Sequence, residues 1–198
     1  MFPVILHPTK TRILVIGNGA ATKRRIELLQ AAGMEFIHYK TKEEWDKKEG
    51  QKADPAMSKR SGAQLQSQEA LQGGAKQIIF IADFDEATSS LLYSDAKKAN
   101  CLVNVEDKTE YCDFHVPAIV RRGDLLLTVS TNAASPRLAR RIRMKLEQLF
   151  DESWAERLNQ IRKLREEWKA QGASFQQLAD NTDALLEKEG WLEGEAKK

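Results

Sequence analysis

Cysteine is scarce in this chain: Cys101 and Cys112 are the only two among 198 residues. Neither has a Cys or His at close metal-ligand spacing, since Cys112 and His115 lack two further partners nearby. Free buried thiols in a reducing compartment are the expectation, and no resident metal. His7, His38 and His115 stand far apart, and no H-x-x-x-H, C-x-x-C or G-x-S-x-G string occurs. Metal hydrolases, thiol oxidoreductases and serine esterases drop out. Long apolar runs are missing as well. Nothing approaches the ~18 residues needed to cross a bilayer, and charged residues follow Met1-Phe2-Pro3-Val4 within the first dozen, so a cytoplasmic protein with no membrane partner is expected. Charge of one sign is also lacking. Lys and Arg number 31 against 29 Asp and Glu, a net +2 that is too small to call for nucleic acid. What is present is 41% apolar residues, enough for the core of one ordinary domain plus an appendage.

The most informative stretch is Ile13-Leu14-Val15-Ile16-Gly17-Asn18-Gly19-Ala20-Ala21-Thr22, an apolar strand that runs into glycines where a helix opens. It reads as a dinucleotide-binding turn. Gly17 supplies the tight turn and Gly19 lets backbone approach a pyrophosphate, whose charge the free N–H groups and positive end of the helix stabilise. Thr22 takes the third small position and crowds the helix slightly against the strand. Ile26, Leu28, Leu29 and Ala32 form a helical stripe that stops at Gly33. The other reading is that these glycines merely shape a strand-to-helix turn.

Met34 to Tyr39 predicts a second strand, parallel to the first through a right-handed crossover. It ends Tyr39-Lys40-Thr41-Lys42, where many dinucleotide folds carry an acid for the adenine ribose. These lysines would favour a 2′-phosphate, or else line a solvated loop. Residues 43–76 turn to Lys, Gln, Ser, Gly and Ala, and predict a loop with a short helix near 63–71. Gln77 to Ala82 and Cys101 to Val105 read as buried strands flanking a helix that stops near Asn100. Alternation through Val105 implies an α/β fold with a Rossmann-like parallel sheet, whose ligands lie beyond the strands' carboxyl ends. Leu125 to Thr131 predicts a further strand in a second small unit, not necessarily parallel to the others. Ser135-Pro136 then opens a helix with Leu138, Ile142, Leu146 and Leu149 along one face, and the last third is largely helical.

Two places could carry chemistry. Asp107, in Asn104-Val105-Glu106-Asp107-Lys108, stands where a substrate beside the nucleotide would meet a general base; alternatively it caps a turn. Arg137, Arg140, Arg141, Arg143 and Lys145 cover much of one helix before the first acid at Glu147. That cluster would attract a polycarboxylate or phosphate, or is a solvated face. No aromatic residues interleave it, as stacking on nucleic-acid bases would need.

Phe2-Pro3-Val4-Ile5-Leu6, Gly17 to Arg24, Leu102 to Asp107, Cys112-Asp113-Phe114-His115-Val116-Pro117-Ala118 and Ser130-Thr131-Asn132-Ala133-Ala134-Ser135-Pro136-Arg137-Leu138-Ala139-Arg140 together resemble the precorrin-2 dehydrogenase family of siroheme biosynthesis. The resemblance runs to about Gln148, except across 43–76. It implies NAD-dependent oxidation of precorrin-2 to sirohydrochlorin, joined in some members to insertion of ferrous iron. It also implies a homodimer in which residues 1–108 bind NAD, 109–148 serve dimerisation and substrate, and 149–198 form a helical C-terminal unit. The family's key aspartate falls on Asp107. Its nucleotide contacts fall on Gly17, Asn18, Gly19, Ala20, Ala21, Thr22, Tyr39, Lys40, Thr41, Lys42, Ala82, Asp83 and Val105. The tetrapyrrole is expected near Ser130, Thr131 and Asn132, with Arg137 and Arg140 for its carboxylates. Departures from the pattern are Thr22, His7 in place of an acidic residue, and the composition of 43–76. An alternative reading is a non-catalytic nucleotide- or tetrapyrrole-binding protein of the same fold.

Overall fold

The run Arg12-Ile13-Leu14-Val15-Ile16 has four consecutive apolar residues, so both of its faces must be covered. In the computed structural model it is an inner strand of a parallel sheet, and those four residues are buried. The structure describes residues 2–48 and 77–192. The chain divides into two compact units with the border between His115 and Val116.

In the first unit β1 (Arg12–Ile16), α1 (Ala20–Ala31), β2 (Phe36–Tyr39), α2 (Lys42–Lys48), β3 (Gln77–Ile81), α3 (Glu86–Lys98) and β4 (Leu102–Val105) follow one another. The strands lie in the order β2-β1-β3-β4 and every pair is parallel. This is the expected Rossmann-like α/β arrangement. Leu14, Ile16, Ile79, Ile81, Val103 and Val105 build the core with Trp45, Leu92 and Ala96. Ile16 stands opposite Ile81, so β1 and β3 end side by side. The strand order reverses between these two, and the crevice beyond their ends is where open α/β sheets hold ligands.

Local chemistry sets the helix limits. Gly33 takes a φ of +64° and Met34 N–H donates to the Leu29 carbonyl at 3.0 Å, ending α1 as the glycine predicts. Asp85 opens α3 by accepting from Thr88 N–H at 2.7 Å, and Asn100, at φ +56°, follows its close. The helix α2 was not expected, because seven residues with one large apolar side chain show no periodicity to read. Its Trp45 is buried in the core, and its acids Glu43 and Glu44 precede Lys47 and Lys48 as the helix dipole favours. The short helix expected near 63–71 lies outside the described residues.

After β4 and a 3-10 turn at Thr109–Tyr111, the chain comes back along the strand. Asp113 N–H donates to the Val103 carbonyl at 2.8 Å, and the Asp113 carboxylate accepts from Val103 N–H at 2.9 Å. Asn104 Nδ2 donates to the Phe114 carbonyl at 2.9 Å. The Cys112-Asp113-Phe114 string thus closes the β4 edge, which would otherwise leave backbone groups unpaired.

The second unit holds β5 (Ala118–Arg122), β6 (Leu125–Val129), α4 (Pro136–Leu149), α5 (Trp154–Ala170) and α6 (Phe175–Glu189). β5 and β6 form an antiparallel hairpin around Gly123 and Asp124, with Gly123 at φ +57°. Arg121 and Arg122 lie at the end of β5. Arg122 turns to the end of α4, donating from Nε to the Phe150 carbonyl at 2.7 Å and from Nη2 to the Glu147 carbonyl at 3.3 Å. Ser174 and Gln177 make a reciprocal capping box at the start of α6, and Arg165 on α5 donates to the Leu178 carbonyl at 3.0 Å.

Candidate functional site

The glycine turn is built tightly. Gly17 N–H donates to the Tyr39 carbonyl at 2.9 Å, its own carbonyl lies 2.8 Å from His38 Nε2, and Ala82 N–H donates to the Ile16 carbonyl at 3.0 Å. Gly17 has a φ of +147°, and a Cβ there would collide with the Ala82 carbonyl and with Thr22 Oγ1. Only glycine fits. Asn18, Gly19 and Ala20 are exposed, while Ala21 and Thr22 are buried as α1 begins.

Asp83, directly past the end of β3, reaches across to this helix start. Its carboxylate accepts from Ala21 N–H at 3.2 Å, from Thr22 N–H at 2.8 Å and from the Thr22 hydroxyl at 2.6 Å. A Cβ on Gly19 would stand 2.5 Å from the Asp83 carboxyl carbon. Burial opposes the charge, but the hydrogen bonds from Thr22 and Ala21 outweigh it and hold the Asp83 carboxyl below the ordinary aspartate range. Asp83 itself is at φ +64°, a left-handed conformation that aspartate tolerates better than most residues. The N–H groups that would grip a dinucleotide's phosphates are therefore held by a carboxylate of the chain. The glycines have the shape that a pyrophosphate requires, but with Asp83 in place the residues present do not fit that group. The pairing of Thr22 with Asp83 joins residues 61 apart and has no local signal in the sequence.

At the end of β2, Tyr39 is buried, Lys40 is exposed, and Lys40 N–H donates to Glu44 Oε2 at 2.8 Å. Thr41 Oγ1 accepts from Glu44 N–H at 3.3 Å. Lys42 is engaged by Asp46 at 2.7 Å and by Asp95 at 3.5 Å. Ala82 and Val105 are buried at the ends of β3 and β4.

Glu106 N–H donates to the Ile81 carbonyl at 2.9 Å, which fixes the turn after β4 at the same end of the sheet. Glu106 is tied to Arg25 at 2.7 Å, and Lys108 to Glu86 at 2.9 Å and to Ser89 Oγ at 3.1 Å. Between them Asp107 is exposed, at φ +61°, and its carboxylate has no partner among the described residues.

In the second unit the loop before α4 is held by its own hydroxyls. Thr131 Oγ1 donates to the Ser135 carbonyl at 3.0 Å and accepts from Ser135 N–H at 3.2 Å, and Ser135 Oγ accepts from Leu138 N–H at 3.2 Å. Ser130 Oγ accepts from Asn132 N–H at 3.3 Å. Asn132 and Ala133 both take positive φ, and the Asn132 side chain is exposed. Much of the Ser130 to Pro136 pattern is thus the capping of α4. Arg137 and Arg140 are exposed on its first turns, without an ion pair among the described residues. Arg143 is paired with Glu147.

A family model described as "Putative NAD(P)-binding" matches residues 4–118. A siroheme synthase of Nitrosococcus oceani is 32% identical over 165 residues, covering 80% of this chain and 33% of that protein. One from Nitrosomonas eutropha is 31% identical over 159 residues, covering 75% and 30%. The chain spans about a third of the length of these relatives. Among solved structures, SirC, a precorrin-2 dehydrogenase, matches with a TM-score of 0.61 at 24% identity, over 91% of this chain and 86% of that one, which is a likeness of fold. On the family model, which matches more than half of its length, the chain belongs to the putative NAD(P)-binding family, and it is similar in sequence to siroheme synthases over about a third of their length.

Proposed function

We propose that this chain catalyses the dehydrogenation of precorrin-2 to sirohydrochlorin in siroheme biosynthesis, with a nicotinamide cofactor, NAD, as the acceptor. The observation that carries the reading is the turn after β4. Its flanking charges are tied down, and Asp107 presents an exposed carboxylate without a partner among the described residues just beyond the carboxyl end of β4. Dehydrogenation removes a hydride and a proton from the tetrapyrrole, and Asp107 takes the proton. In the second unit, Arg137 and Arg140 serve to bind the substrate's carboxylates, and Ser130, Thr131 and Asn132 are further substrate contacts. The glycine turn, the end of β2 at Tyr39 to Lys42, Ala82 and Val105 border the nucleotide's place. Among the described residues no group of three His, Cys, Asp or Glu side chains is placed to hold a metal ion.

Anaerobically prepared precorrin-2 and NAD, added to the purified protein, should yield sirohydrochlorin by its absorbance together with NADH. Asp107→Asn keeps the volume and loses the basic oxygen, so kcat should fall about 10²-fold with unchanged thermal stability. An unaltered rate would reduce Asp107 to a turn residue. The second reading, a binding protein without turnover, has the Asp83 carboxylate at α1 in its favour. Binding of NAD without product would support that reading, and turnover by the wild type would exclude it.

A further inference from the structure

We propose that Asp83 sets the affinity of this chain for a dinucleotide: its carboxylate occupies the phosphate position at the start of α1, so that a dinucleotide binds only when Asp83 turns away. The inference rests on the nicotinamide reading above and concerns the same site.

Four observations converge on it. The Asp83 carboxylate takes the backbone N–H groups of Ala21 and Thr22, which are the donors a phosphate would use. Thr22, at the third position of the turn, adds a hydroxyl donor at 2.6 Å that a glycine or alanine there would not have. Gly19 is needed for the carboxylate as much as for any ligand, since a Cβ would stand 2.7 and 2.8 Å from its two oxygens. Finally, the β1–β3 register brings Asp83 to the strand-order reversal, so its charge stands in the crevice itself. A carboxylate and a phosphate competing for the same donors also repel one another, and the repulsion adds to the loss of the hydrogen bonds. Arg24 is the nearby cation that acts on Asp83, and its other contact is Glu106 at 3.7 Å. Because Asp83 is exposed on its outer side, rotation toward solvent frees the helix start without unpacking the sheet.

The test is calorimetric titration of the full chain with NAD and, as a probe without phosphates, with adenosine. Asp83→Asn removes the charge and keeps a residue suited to the left-handed conformation; Asp83→Gly removes the side chain and also accepts φ +64°. NAD should bind Asp83→Asn about tenfold tighter than wild type, and Asp83→Gly tighter still, with adenosine unchanged in all three. Circular dichroism verifies that each variant is folded, and either one suffices for the comparison. Equal NAD affinity in wild type and a folded variant would overturn the role of Asp83 and leave the dehydrogenase reading standing. A parallel gain for adenosine would also overturn it, since a charge acting on phosphate leaves adenosine alone. No NAD binding by wild type or by either variant would overturn both.

Discussion

Arg25 shows how much one side chain can organise. From α1 it reaches Glu106 at 2.7 Å and Asn104 Oδ1 at 3.3 Å, with its guanidinium 4.7 Å from the centre of the Phe80 ring. Phe80 in turn meets Phe114 edge to face at 5.4 Å. One cation thus links the helix of the glycine turn to the strand that leads to Asp107. Its side chain is only 14% exposed, so truncation leaves Asn104 and Glu106 short of a partner in a partly desolvated place. Arg25→Ala should lower the free energy of unfolding by about 2 kcal/mol in urea titrations, and Arg25→Lys should restore little of it, because one ammonium cannot serve both partners and the ring. A loss under about 0.5 kcal/mol would make it an ordinary surface arginine.

At the scale of elements, α4 is where the sequence reading and the packing part. Its stripe of Leu138, Ile142, Leu146 and Leu149 predicts the buried face, yet Leu138, Ile142 and Leu149 are 52%, 38% and 66% exposed. The face packed in the single chain is instead that of Ala139, with Leu146 and Phe150 half-buried. Arg137 and Arg140 project from the same helix. If they hold the tetrapyrrole's carboxylates, replacing both with Gln should raise KM for precorrin-2 at least tenfold, and more at low salt, while NAD affinity stays within about twofold. Unchanged kinetics would assign them to the solvated surface and leave Ser130, Thr131 and Asn132 as the substrate contacts.

For the whole molecule, the exposed apolar stripe of α4 is a surface that the homodimer expected from the family resemblance would cover. In the first unit, taken by itself, Phe2 and Ile5 of the N-terminal arm are 86% and 83% exposed. Exposed apolar side chains clustered on one helix face mark a surface suited to a partner. Sedimentation equilibrium should therefore give a mass of two chains, and Ile142→Glu together with Leu149→Glu should shift it toward one chain while the fold persists. A wild-type mass of one chain at micromolar concentration would overturn the expected dimer.

The sequence by itself determined the strands β1, β3 and β4, because runs such as Ile13 to Ile16 and Ile78 to Ile81 are too apolar to rest anywhere except inside a covered sheet. It also determined the ends of α1 and α3 and the start of α4, since Gly33, Asn100 and Ser135 act on backbone groups within a few residues. The hairpin strand β5 escaped it, being half-buried and ending in two arginines whose use appears only against α4. So did the two facts that bear most on function. Asp83 and Thr22 are 61 residues apart, and Glu106 and Lys108 are neutralised by Arg25 and Glu86 from other helices. Periodicity and capping are local and therefore legible, whereas which carboxylate fills a helix start and which is left open depends on strands meeting at their ends, and only the tertiary structure decides that.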